Sequence, residues 1–417
     1  MIERKRIYLC LAHMSEDGLE QKYIKEAFDT NWVVPLGPNV NGFENDLEQF
    51  VGEDKKVVAL SSGTAAVHLS LIACGVQPGD EVLVQSFTFC ASSHPITYLG
   101  ATPVFVDSEK GTWNMDPELL EAAIVDRIAK MGKKPKAIIP VALYGMPYDI
   151  SRIMEIAGRY EIPVIEDAAE GFGSRFNGRV LGTFGQFGVL SFNGNKMITT
   201  SGGGALICPS KDMADKIMWY ATQAREAYPY YQHEAIGYNY RMSNICAGIG
   251  RGQMTVVNDH ILHHKHVQAL YEELLSGVDG IEMHKSPSSP YDSNYWLCTM
   301  CVNPELRIRG QENAYKKVIT GAVGGAAGVI HAVDSAVTDC QPNDNVEALR
   351  MYMDAAQIEA RPLWKPMHKQ PVYKHCPAYT NGVSESLFKV GMCLPAGPYV
   401  SDDDVHYIVD CIKSAIV

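Results

Sequence analysis

The 417-residue sequence has no apolar run of membrane-spanning length, no surplus of basic residues, no internal repeat and no low-complexity tail. A transmembrane helix needs about 20 consecutive apolar residues, so no membrane association through a helical span is expected. The opening MIERKRIYLCLAH has a short apolar patch bracketed by charges and reads as neither a secretory leader nor a span. Lysine and arginine number 36 against 48 aspartates and glutamates, a net charge of −12. Nucleic acid is not the partner of such a surface, and an anionic ligand must find its positive charge locally. The eleven cysteines are an odd number without disulfide-framework spacing, which points to free thiols in a reducing, cytoplasmic setting. Cys298 and Cys301 fall in the strand-like run NYWLCTMCV, where residues three apart face opposite ways; two packed thiols are expected there, not a metal site.

What is present is a length sufficient for two domains and a regular alternation of short apolar runs with amphipathic segments. Strands are expected at 57–60, 81–85, 103–106, 137–141, 163–165, 188–192 and 205–208, with helices at 15–30, 41–50, 65–74, 91–99, 116–125, 149–160 and 211–224 among them. Strands of this kind, separated by helices, form a mostly parallel sheet covered on both faces. A long helix at 247–275 carries His260, His263, His264 and His266, which read as a solvated face; no carboxylate stands at ligand spacing to make them a metal site. Beyond about residue 280 the pattern changes to strands at 294–302 and 360–363 with helices at 311–318, 345–356 and 402–415, and a small-residue stretch at 320–337. The expected division is 1–260, including the N-terminal arm, and 261–417.

Chemistry concentrates in VIEDAAEGFGSRFNGRVLGTFGQFGVLSFNGNKMITTSGGG, residues 164–204. Asp167 closes an apolar strand, and strand C-termini open into the crevice where α/β proteins bind ligands. A carboxylate there can keep a pyridine nitrogen protonated; it serves equally well as the cap of a helix over AAEGF. Lys196 follows a strand and a polar turn, a place to hold a reactive amine at a cleft rim, although most loop lysines are simply solvated. Ser62-Gly63-Thr64-Ala65 stands between a strand and a helix, where free amides and hydroxyls suit a phosphate or make an ordinary N-cap. Ser191 could add a hydroxyl, and Phe89 an aromatic face or core packing. The paired reading of lysine and aspartate is a pyridoxal phosphate site.

The motifs SSGTAAVHLSLIACGVQPGDEVLVQSFTF, IEDAAE, GTFGQFGVLSFNGNK, TTSGGG and GYNYRMSNICAGIGRGQM occur in an order that resembles the pyridoxal phosphate-dependent sugar-nucleotide aminotransferases of the DegT/StrS group. That resemblance implies an α/β fold of type I: a large domain with a mainly parallel seven-stranded sheet between helices, and a smaller α+β C-terminal domain. It implies Lys196 as the Schiff-base lysine and Asp167 as partner of the ring nitrogen. It puts Glu170 at the ring hydroxyl, Phe89 on the ring, Gly63, Thr64 and Ser191 on the phosphate, and Asn239 across the interface of a homodimer with shared active sites.

EDAAE, SFNGNK, ITTSGGG, TQARE and ARPLWKPMH are similar to the subgroup that aminates UDP-4-keto-6-deoxy-N-acetylglucosamine at C4. The implied reaction takes the amino group of L-glutamate to that nucleotide keto-sugar, with Arg241, Arg361, Trp364, Lys365 and His368 near the substrate. Ala142 departs from the family, which often has histidine there. Other dTDP-, GDP- or UDP-linked keto-sugars remain open, as does a non-catalytic pyridoxal phosphate regulator; a related dehydratase would carry histidine in place of Lys196.

Overall fold

The structure is a computed structural model and describes residues 5–52, 54–315 and 340–417. The small-residue stretch 320–337 and the end of the expected helix 311–318 lie outside the described residues.

Seven strands build the main sheet: β1 (Lys56–Leu60), β2 (Glu81–Gln85), β3 (Thr102–Val106), β4 (Ile138–Ile139), β5 (Ile165–Asp167), β6 (Phe187–Ser191) and β7 (Gly204–Cys208). Their order is β1-β7-β6-β5-β4-β2-β3, the join between β5 and β4 being made by the parallel bridges Ile138–Val164 and Val141–Asp167. Only β7 runs against its neighbours. A two-residue strand from the C-terminal region, Ala378–Tyr379, adds an eighth, parallel to β3.

Period-two alternation explains the layers. Val57, Ala59, Leu83, Val104 and Ile138 enter one apolar core, while Val58, Leu60, Val82, Phe105 and Ile139 enter another on the opposite face. A third core belongs to the C-terminal part. There an antiparallel sheet, Ile281–Met283, Cys298–Val302, Gly391–Leu394 and Arg361–Pro362, packs with the helices Asp344–Ala355 and Asp402–Ala415. The N-terminal arm, grouped above with the large domain, also reaches this core: Ile7 is buried in it and bridges Ile358. Cys298 faces this third core and Cys301 packs against the first, as opposite-facing strand positions must. The ten cysteines other than Cys340 are free thiols.

Three helices differ from expectation. Of 311–318, the described part is only a 3-10 turn, Gln311–Asn313, which Ala314 ends with extended ψ. Residues 91–99 divide into a 3-10 turn, Cys90–Ser92, and a short helix, His94–Tyr98; Pro95 has no amide to donate and is tolerated only in a first turn, so the helix restarts just before it. The long helix is two, Asn244–Met254 and Val257–Leu274. The β-branched run Thr255-Val256-Val257 favours the break. The first of the two packs closely: a Cβ on Gly252 would stand 2.6 Å from Glu20 Cγ, and one on Gly250 would stand 2.7 Å from the Phe43 ring.

The histidine run is not a solvated face. His264 is fully buried and His260 is 6 % exposed. His260 Nδ1 donates to the Met197 carbonyl at 3.1 Å and His264 Nδ1 to that of Tyr295 at 3.1 Å. Positions i and i+4 share a helix face, and this face meets the loops around Lys196, whose carbonyls need donors. His266 alone is exposed, beside Asp402. Burial lowers the pKa of His264 to about 3, partly opposed by its bond to Tyr295.

Candidate active site

Asp167 ends β5 and is 5 % exposed. No helix covers AAEGF, so the helix-cap alternative falls away. Oδ1 accepts the Ala169 amide at 3.1 Å, and Oδ2 accepts the Ser92 hydroxyl at 2.6 Å. Burial raises the pKa of Asp167; the Ser92 hydroxyl, the Ala169 amide and the charge of Lys196 pull the other way.

Glu170 lies in the turn that follows. Its Oε2 accepts the Tyr144 amide at 2.6 Å, and its Oε1 stands 3.8 Å from Lys196 Nζ. Burial raises this carboxyl as well, with the lysine opposing. Two buried carboxyl groups thus face one lysine amine. Tyr144 holds a left-handed backbone, φ +53°, and its hydroxyl accepts the Trp364 amide at 2.7 Å.

Lys196 is reached five residues after β6, its amide bonded to the Asn193 carbonyl at 3.0 Å. The side chain is 14 % exposed, and Nζ sits 4.0 Å from the centroid of the Trp296 ring.

At the other end, β1 runs into the helix Gly63–Ala73. Ser62 caps it, its Oγ accepting the Ala65 amide at 3.0 Å. Cap and anion cradle coexist here, because one capping hydroxyl leaves the earlier amides of Gly63 and Thr64 without intrahelical acceptors. The backbone approach requires glycine at 204, where a Cβ would stand 2.3 Å from Gly63 N, and it is tight at 63, where one would stand 3.2 Å from Ser191 Cβ.

A cavity of about 380 Å³ joins these ends, lined by Ser62, Gly63, Thr64, Phe89, Ser92, Asp167, Glu170, Ser191, Lys196, Trp296 and Trp364. Phe89 is half exposed, with its ring 5.4 Å from that of Trp364. Lys365 lines an adjoining hollow with Phe89, His94 and Trp364. The remaining expected residues are elsewhere in this chain. Arg361 is paired with Glu359 at 2.7 Å. His368 is held by Ser86 Oγ at 2.6 Å and Glu385 Oε1 at 3.2 Å, its side chain 8 % exposed. Arg241 extends the edge of β1 beside Leu60, and Asn239 bridges Thr222; neither lines the cavity. Ala142 is buried so tightly that a Cβ on Gly171 would come within 2.7 Å of its own.

The sequence reading missed three residues: Ser92, Tyr144 and Trp296. Tyr144 lies in the run LYG, residues 143–145, and could have been found there; Ser92 and Trp296 carry no local signal, since one lies in the turn ahead of the short helix His94–Tyr98 and the other reads as strand core.

The donor set fits pyridoxal phosphate: helix-terminal amides and hydroxyls for a phosphate, a buried carboxylate for a pyridinium, and a lysine beside it. Fold and cavity are those of a fold type I pyridoxal phosphate enzyme. A model of the DegT/DnrJ/EryC1/StrS aminotransferase family matches residues 14–324 and 311–413, and the chain belongs to that family. It is similar to EpsN of Bacillus subtilis (strain 168), named provisionally as a pyridoxal phosphate-dependent aminotransferase, with 41 % identity over 98 % of this chain and 95 % of EpsN. To the GDP-perosamine synthase of Escherichia coli O157:H7 it is 32 % identical over 97 % of this chain and 98 % of that protein. Among solved structures, a DegT/DnrJ/EryC1/StrS aminotransferase from Brucella abortus superposes with a TM-score of 0.80 at 27 % identity, covering 95 % of both chains. The activity is transamination with pyridoxal phosphate, in the making of amino sugars on nucleotide carriers. No helix among the described residues is long and apolar enough to cross a membrane.

Proposed function

We propose that the enzyme moves the amino group of L-glutamate to the C4 keto group of a UDP-linked 4-keto-6-deoxy-N-acetylhexosamine. The observation that carries the catalytic part is the convergence of Asp167, Glu170 and Lys196 in one cavity with the Gly63 helix terminus. The choice of sugar is supported by the EDAAE, SFNGNK and ARPLWKPMH motifs.

When bound, pyridoxal phosphate supplies an electron sink for the carbon that loses or gains a proton. The residues do the rest. The Asp167 carboxylate, its charged form favoured by Ser92, would keep the ring nitrogen protonated. Gly63, Thr64 and Ser191 would hold the phosphate end, Glu170 would meet the ring hydroxyl, and Phe89 would cover the ring. Lys196 would bind the cofactor, and its free Nζ would take the proton from the amino-bearing carbon of glutamate. In the second half-reaction it delivers a proton to C4 of the sugar.

A homodimer with shared sites accounts for the surface. Phe28, Trp32, Val33 and Leu36 are exposed, as are Tyr230, Tyr231 and Ile236 of the loop that leads to Asn239, apolar surface that a partner chain would cover. Asn239 and Arg241, outside their own chain's cavity, would serve the partner's. The division near residue 260 places the cofactor residues in one domain and Trp364 and Lys365 in the other. A cytoplasmic setting suits the free thiols.

The likeness to GDP-perosamine synthase supports a second reading, a GDP-linked keto-sugar. The test is to supply the cofactor-loaded protein with L-glutamate and a panel of UDP-, GDP- and dTDP-linked keto-sugars, identifying products by mass spectrometry and NMR. A UDP-linked 4-amino sugar formed with equimolar 2-oxoglutarate is expected. Amination only of a GDP-linked sugar would move the assignment to the second reading, and turnover by Lys196→Ala would overturn the catalytic one.

A further inference from the structure

We propose that Trp296 is a positioning residue for Lys196, which holds the free ammonium on its indole face and fixes the loop beside it. Trp296 is 2 % exposed, and its ring centroid lies 4.0 Å from Lys196 Nζ, inside the range in which an aromatic face attracts a cation. The same indole donates Nε1–H to the carbonyl of Asn195 at 2.7 Å. The carbonyl on the other side of the lysine, that of Met197, is held by His260 Nδ1. The carbonyls of both residues adjacent to Lys196 are therefore fastened by side chains from later in the chain, and the amine has an aromatic surface to return to.

The turn that presents Trp296 is built for this placement. Tyr295 adopts φ +48°, a left-handed conformation that costs energy for a bulky residue. His264 holds the Tyr295 carbonyl, and Asn294 Oδ1 accepts the Trp296 amide at 2.8 Å. The Asn294 amide group donates to the carbonyls of Glu170 at 3.0 Å and Phe172 at 2.9 Å. One turn thus ties the lysine loop to the glutamate loop. A tryptophan that merely filled the core would need neither the strained backbone before it nor its face turned to a cation.

The proposal rests on Lys196 being the lysine that binds the cofactor, and that premise has its own check: borohydride reduction of the loaded protein and mapping of the modified peptide. The proposal itself is read on full-length protein carrying pyridoxamine phosphate, in which Lys196 is unbound. Acylation of Lys196 by an amine-selective reagent at fixed pH is followed by mass spectrometry. Acylation needs the neutral amine, so losing the ring face should speed it: about tenfold in Trp296→Leu and only two- to threefold in Trp296→Phe. Tryptophan replaced by mono-, di- and trifluorotryptophan keeps the shape and the N–H while weakening the ring face, and Lys196 labelling should rise with each fluorine. That series decides the matter if Trp296→Leu does not fold. Equal labelling across the series, or Trp296→Phe labelling as fast as Trp296→Leu, would overturn the proposal. A cofactor mapped to another lysine would instead remove the premise.

Discussion

Ser92 donates its hydroxyl to Oδ2 of Asp167 across 2.6 Å. This bond works against the burial that raises the Asp167 pKa. Ser92→Ala removes it, so the carboxylate is disfavoured further and binds a pyridinium less well. The cofactor dissociation constant should rise about tenfold or more, the worth of a hydrogen bond to a charged group, and the acid limb of the pH–rate profile should move to higher pH. Titration of cofactor binding by visible absorbance at pH 6 and pH 8 checks this; an unchanged constant at both would contradict it.

Glu170→Gln should stabilise the cofactor-free protein. The raised pKa of Glu170 means that the folded state favours its neutral form. The charged form therefore weakens the fold above the folded pKa, and a neutral amide relieves that cost while still accepting the Tyr144 amide. A gain of about 1–2 kcal/mol is expected at pH 8, shrinking as pH falls and Glu170 takes up its proton. Urea denaturation at pH 8 and pH 5 measures both parts.

His264 predicts an acid sensitivity. Its pKa is lowered from 6.5 to about 3 in the folded chain, so the unfolded state binds the proton more readily. Stability is fully present above pH 6.5 and is lost as pH falls towards 3, by about 2 kcal/mol at pH 5. His264→Gln keeps a donor for the Tyr295 carbonyl but cannot titrate. Between pH 7 and pH 5 its stability should fall less than wild type by that amount; parallel pH curves would refute the assignment.

The contact of Ser86 with His368 joins the end of β2 to the C-terminal region, and Met367 donates its amide to the Ser86 carbonyl at 2.7 Å beside it. Phe87-Thr88-Phe89 follows directly. A double-mutant cycle of Ser86→Ala and His368→Ala should give a coupling of about 1 kcal/mol in thermal or urea unfolding. Additive effects would show that the two side chains act independently.

The sequence by itself determined whatever depends on near neighbours. Continuous apolar runs such as KVVAL and TPVFV, set between helices, specified a sheet covered on both faces, and an acidic residue at a strand end and a lysine after a polar turn marked one end of the cavity. Tertiary structure decided the rest, because the burial of a polar group depends on what faces it across the fold. His260 and His264 read as solvated until the carbonyls of Met197 and Tyr295, 63 and 31 residues away, are set against them. Ser92 meets Asp167 across 75 residues, Trp296 meets Asn195 across 101, and His368 is drawn to Ser86 across 282. Local periodicity specifies which face of an element is apolar; which carboxylate gains a hydroxyl and which lysine an aromatic face is set only when the elements pack.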